Sequence, residues 1–184
     1  MERRARLLAA ARQVYGVEGF RAATVKCVCE KAGLTERYFY ESFPNSAALF
    51  LALYKEVKTE AIEQYCQARD AAGPDPVDRL RAVLVAYYSR FPKDPAGARL
   101  SLIEAPSVSP ELKEIWKACR DELGEVLAEC WTAREMPCPP ALQIAVASSV
   151  RQIGIDWIEE GFPQPQDEIV ETALRIARAL SPAT

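Results

Sequence analysis

The chain has 184 residues, 49% of them hydrophobic, and a formal net charge of -3, enough apolar material to bury one or two cores without disulfides or a structural metal. No charged leader with an apolar stretch opens it, and no apolar run nears the ~20 residues of a membrane span, so a cytoplasmic protein with no membrane partner is expected. Histidine is absent, which removes the commonest metal ligand and the commonest general base; with no glycine-rich phosphate loop and no clustered nucleophile and base, no catalytic residue, metal or cofactor is expected.

Every long segment carries the helical period and none alternates as a strand would, so the expected class is all-α. A first helix over 2–17 puts Leu7, Leu8, Ala11, Val14 and Tyr15 on one stripe, and Gly19 stands where a left-handed cap would follow. Thr24 is the N-cap candidate of a second helix in which Val25, Val28, Cys29 and Ala32 recur at i, i+3, i+4 and i+7; Gly33 stops it. Thr35 caps a short third helix to about 42, with Leu34, Phe39 and Phe43 available to pack inward, and Pro44 ends it. Ser46 opens a long fourth helix to about 72, before the break at Gly73, Pro74, Asp75 and Pro76. Beyond it the periodicity predicts helices over 77–91, 96–104, 110–134, 140–160 and 167–180, with proline at nearly every junction.

Segment 24–43 is thus helix, glycine turn, short helix: the helix-turn-helix pattern. A second helix that enters a major groove ~12 Å wide must be apolar on one side and rich in hydrogen-bonding groups on the other. Phe39 and Phe43 supply the first side; Glu36, Arg37, Tyr38, Glu41 and Ser42 remain for the second. An ordinary αα-hairpin has the same spacing. The run Tyr38, Phe39, Tyr40 favours the groove-reading alternative, because two exposed tyrosines beside a buried phenylalanine suit hydroxyls that meet a partner. Charge agrees with this: residues 1–58 hold ten Lys and Arg against six Glu, and the remainder thirteen against twenty acidic residues, a basic head on an acidic body that offers one end to a polyanion.

Phe20-Arg21-Ala22-Ala23-Thr24-Val25, then Ala32-Gly33-Leu34-Thr35, Tyr38-Phe39-Tyr40 and Phe43-Pro44-Asn45-Ser46 closely resemble the DNA-binding domain of the tetracycline-repressor (TetR) family over about 3–55. The resemblance implies a helix-turn-helix DNA-binding domain over 1–45, followed over 46–184 by a linking helix with a ligand-binding and dimerisation domain. It implies that Thr24 and Tyr40 contact phosphates of double-stranded DNA and that Thr35, Glu36, Arg37, Tyr38 and Ser42 approach the groove, Arg37 being suited to a guanine edge. Many members carry lysine where this chain has Ser46, which must serve there with free amides. Glu36 and Glu41 bring negative charge to a helix meant for a polyanion, unless one reads a cytosine amino group or pairs with Arg37. Modest affinity with steep salt dependence follows.

The second half resembles the family loosely, best over 150–161. Ile144, Ala147, Val150, Ile155 and Ile158, with Ile169, Ala173, Ile176 and Leu180, form apolar stripes suited to a four-helix homodimer interface; packing within one subunit is the alternative. Tyr87, Tyr88, Phe91, Ile103, Trp116 and Trp131, with Arg99, Glu104, Arg120 and Arg151 as polar anchors, are candidates to line a site for an unidentified small-molecule effector, against the plain alternative of core aromatics and solvated charges. The expected function is a homodimeric repressor of a palindromic operator, released by that effector. Two other readings stay open: a helical protein-interaction module, and a thiol-based redox regulator in which Cys119 or Cys130, eleven apart and so near one helical face, responds to oxidants. The six cysteines are otherwise expected to be reduced and partly buried.

Overall fold

The computed structural model of the chain describes residues 2–131 and 138–181. Among the described residues every regular element is helical: α1 (Glu2–Glu18), α2 (Val25–Ala32), α3 (Glu36–Ser42), α4 (Ser46–Ala71), α5 (Pro76–Tyr88), α6 (Arg90–Lys93), α7 (Pro95–Arg99), α8 (Pro110–Ala128), α9 (Pro140–Glu159) and α10 (Gln166–Ala177). The all-α expectation holds.

Local chemistry explains most boundaries. Thr24 takes extended backbone and its hydroxyl oxygen accepts from Cys27 N, capping α2, whose other end closes on Gly33 at φ +62° with Leu34 N donating to Cys29 O. Asp75 accepts from Val77 N and Asp78 N, and Pro76 fills the first position of α5. Ser46 is the first residue of α4 rather than its cap: Asn45 Oδ1 accepts from Ala48 N at 2.8 Å.

Three expected helices end differently. The helix expected over 77–91 stops at Tyr88, and the short α6 follows it. The one expected over 96–104 is α7 followed by a π turn, Leu100–Glu104, where Ala105 N donates to Leu100 O, and then a 3-10 turn, Ala105–Ser107. The one expected to reach residue 134 stops at Ala128, because Cys130 N and Trp131 N fold back onto Leu127 O and Ala128 O; residue 134 lies outside the described residues.

The residues fall into two compact units, one built from positions up to 59 together with 96–114, the other from 60–95 and the described residues from 115 onward. The first unit packs α1 against α2 and α3 around Leu7, Val28, Phe39, Leu49 and Phe50, all almost fully buried. Tyr15, Phe20 and Phe50 form an edge-on trio with centroids 5.0–5.6 Å apart. In the second unit α10 packs on α5 and α9, closing over Leu80, Leu84, Val150, Ala173 and Leu180. No helix among the described residues is long and apolar enough to cross a membrane.

Candidate nucleic-acid interface

Alternation around a two-turn helix decides which side of α3 faces outward. Phe39 and Phe43, one turn apart, are buried and lie with ring centroids 6.1 Å from each other. Thr35, Glu36, Arg37 and Tyr40 consequently face solvent, and Tyr38 and Ser42 are half-buried at the margins. Tyr40 is 57% exposed, its ring edge-on to Phe39 at 5.2 Å, so the ring is braced while over half of the residue stays open to solvent. Thr35 ends the turn in extended backbone with no cap bond from its side chain, which leaves that hydroxyl for an external partner. Ser42 is different: its hydroxyl donates to Tyr38 O at 3.0 Å, back into its own helix.

The angle of α3 is held from outside the motif. Arg6 of α1 donates through one Nη to Ala32 O at 2.6 Å and Gly33 O at 3.2 Å, placing a cation on the carbonyl end of α2 where the dipole favours it. Arg4 lies over the Phe43 ring at 5.2 Å. The α1–α2 turn is pinned by a residue far away in sequence, Glu104 of the π turn, whose Oε2 accepts from Phe20 N at 3.1 Å. Glu104 was expected as a ligand anchor; it instead satisfies a backbone donor beside Gly19, whose φ of +77° makes the turn. At the other phosphate candidate, the Thr24 hydroxyl donates to Cys27 Sγ at 3.1 Å while capping α2 and stays exposed. Ser46 is half-buried at the first turn of α4. One unit therefore presents Thr24, Thr35, Arg37 and Tyr40 as exposed hydrogen-bonding residues, a set able to reach phosphates and a base edge.

The expected effector residues divide between the units. Arg99, exposed, and Ile103 and Glu104, half-buried, belong to the first; the others belong to the second. There Tyr87, Tyr88 and Phe91 fill one another's space, with edge-on ring centroids 5.0–5.8 Å apart, and Tyr88 Oη donates to Val150 O at 2.7 Å. Arg151 is buried, stacked 3.4 Å over the Trp116 ring and donating to Trp116 O at 2.9 Å. Arg120 pairs with its neighbour Asp121. Trp131 lines a surface cleft of about 270 Å³ with Glu125, Glu129, Cys138 and Gln143. Of the apolar stripes expected at a dimer interface, Ala147, Val150, Ile158, Ile169, Ala173 and Leu180 are buried inside the single chain, whereas Ile144 is exposed and Ile155 and Ile176 are half-buried.

The cysteine geometry differs from the expectation too. Because α8 stops at Ala128, Cys130 sits beyond its end and shares no helical face with Cys119; it is fully buried, whereas Cys119 is half-buried. Burial pushes the Cys130 thiol up from its ordinary 9.0 to about 11, which keeps it protonated and slow toward oxidants at neutral pH. Burial also raises the phenols of Tyr15 and Tyr88 well above the usual tyrosine range. These groups hold protons in the fold that the unfolded chain releases sooner. Their contribution is whole below the unfolded values and is lost as pH climbs from about 9 toward 11 and beyond. Thermal melts across that window are expected to show a falling midpoint; a flat midpoint would refute the burial account.

Residues 7–53 match the tetR family of bacterial regulatory proteins. The chain is 25% identical to the HTH-type transcriptional activator FasR of Mycolicibacterium smegmatis, covering 96% of this chain and 81% of that one. It is 30% identical to the HTH-type transcriptional regulator EthR of the same species, over 76% of this chain and 64% of that protein. Among solved structures, the regulator FadR from Bacillus subtilis in complex with stearoyl-CoA has the same fold, with a TM-score of 0.78 at 15% identity over 98% of this chain and 99% of that one.

Proposed function

We propose that the chain, whose residues 7–53 match the tetR family of bacterial regulatory proteins, is a transcriptional regulator of that family that binds a palindromic operator as a homodimer and represses until a small-molecule effector releases it. The observation that carries this reading is the outward face of α3, where Arg37 and Tyr40 stand exposed on either side of the buried Phe39. Thr24 and Tyr40 hold phosphates, Thr35 and Arg37 meet base edges, Glu36, Tyr38 and Ser42 border the groove, and Ser46 approaches the backbone from the start of α4. Two copies are needed because each α3 reads only a half-site and half-sites recur every ~34 Å. Ile144 on α9 and Ile155 one face along, with Ile176 on α10, are the apolar positions left for that pairing.

Effector control is a population shift: a ligand that binds one body conformation better pulls the pair toward it. The helices α4, α7 and α8 contribute residues to both units and are the covalent routes for such coupling. The shared fold with a regulator solved with stearoyl-CoA supports a long-chain acyl compound as the first effector to try.

Footprinting on DNA flanking the coding region is expected to show protection of two symmetric half-sites, lost on adding stearoyl-CoA. Sedimentation of the free protein should give a dimer. Binding no tighter than to random duplex at physiological salt would overturn the reading.

A further inference from the structure

The outer face of α3 carries one carboxylate between two guanidiniums. Glu41 Oε1 accepts from Arg37 Nε at 3.1 Å, and Glu41 Oε2 lies 3.9 Å from an Nη of Arg3, whose guanidinium is stacked 3.9 Å over the Tyr38 ring. An exposed i, i+4 pair adds little to stability, and Arg37, with a side chain 84% exposed, is not positioned by packing. A carboxylate on a surface that meets a polyanion weakens every encounter with a phosphate. Its effect on Arg37 is the reverse. With Nε engaged by Glu41 on a side chain 84% exposed, the two Nη groups are the donors left to the guanidinium, the pair that a guanine O6 and N7 take together.

We propose that Glu41 is a positioning residue that sets DNA specificity: it aims the Nη edge of Arg37 at one base edge and penalises duplexes that offer only phosphates there. This rests on the DNA-reading role proposed above for α3. Arg3 completes the device, since its stack on Tyr38 keeps a second cation against the same carboxylate, so Glu41 stays beside α3 instead of swinging into solvent.

The test compares wild type, Glu41→Gln, Arg37→Ala and Arg37→Ala/Glu41→Gln on two duplexes of equal length, one enriched from a random library by the wild-type chain and one of scrambled sequence. The glutamine is isosteric, and circular dichroism with thermal melting checks that it folds. Removing one negative charge per subunit, two per bound pair, should let about two more counterions leave on binding, steepening the salt slope by ~1.8 and tightening the scrambled duplex about sixtyfold at ~0.1 M salt. The enriched duplex should gain less or weaken, so the ratio between the two falls. In the Arg37→Ala background the same change should leave that ratio untouched, because the carboxylate has no guanidinium to aim. A purely structural role for Glu41 would shift the melting point and move both affinities in parallel, and that outcome, or an undiminished ratio in Glu41→Gln, overturns the proposal. A wild-type chain that enriches no duplex at all overturns the reading of α3 itself.

Discussion

Replacing Phe39 by alanine is expected to cost about 3–5 kcal/mol and to abolish DNA binding, whereas replacing its neighbour Tyr40 should leave the fold intact and still lose the DNA. Phe39 is wholly buried beneath α3, against Tyr40 and Phe43. Deleting its ring removes the apolar contacts that hold a seven-residue helix, too short to persist alone. The loss is a large part of the ~5–15 kcal/mol that keeps a domain folded. Tyr40, 57% exposed, has little burial to lose. Its hydroxyl is the asset: a hydrogen bond to a charged phosphate contributes roughly 1.5–3 kcal/mol, and a symmetric pair makes it twice. Melting curves and gel shifts on the two variants separate the cases. A Tyr40→Ala protein with wild-type affinity for its operator would remove that residue from the interface, and an unaltered melting point for Phe39→Ala would contradict the packing.

The second large effect is a reversal of sign in the other unit. Alanine for glycine inside a helix ordinarily stabilises by about 1 kcal/mol. At Gly124 of α8 a Cβ would stand 2.9 Å from Gln143 O, and at Gly154 of α9 a Cβ would stand 2.8 Å from Cε2 of Phe91. The first neighbour is backbone of α9 and cannot swing aside; the second is a ring held edge-on by Tyr87 and Tyr88. Overpacking of this kind costs about 1–3 kcal/mol, so each alanine is expected to destabilise on balance, and the pair together to lower the melting midpoint by several degrees at ~2–4 °C per kcal/mol for a chain of this size. A raised midpoint for Gly124→Ala would show that α8 and α9 are not in contact at that residue.

Much of the interface was legible before any coordinates because its signals are local. The i, i+4 spacing of Arg37 and Glu41 already allowed the pair that the structure contains, and Thr24 and Gly33 announced the two ends of α2. Ser46 was read as opening α4, as it does, but the cap before it, Asn45, was not named, since Asn45 and Ser46 are both competent and only the backbone there decides between them. Arg6 and Glu104 carried no readable signal. Each satisfies a carbonyl or amide 26 to 84 residues away, and nothing in a string of residues ranks such partners.

Taken alone, the amino-acid order determined the helical class, most of the helix starts, and the two-sided character of α3, because capping, φ restriction and the 3.6-residue repeat act over a few neighbouring positions. Tertiary structure decided which apolar residues are spent inside the subunit and which remain outside. Ala147, Val150, Ala173 and Leu180 read as interface candidates on the same footing as Ile144, yet they are buried and Ile144 is not. It also brought residues 96–114 into the N-terminal unit. An apolar stripe specifies only that it must be covered; what covers it depends on the packing of segments distant in sequence.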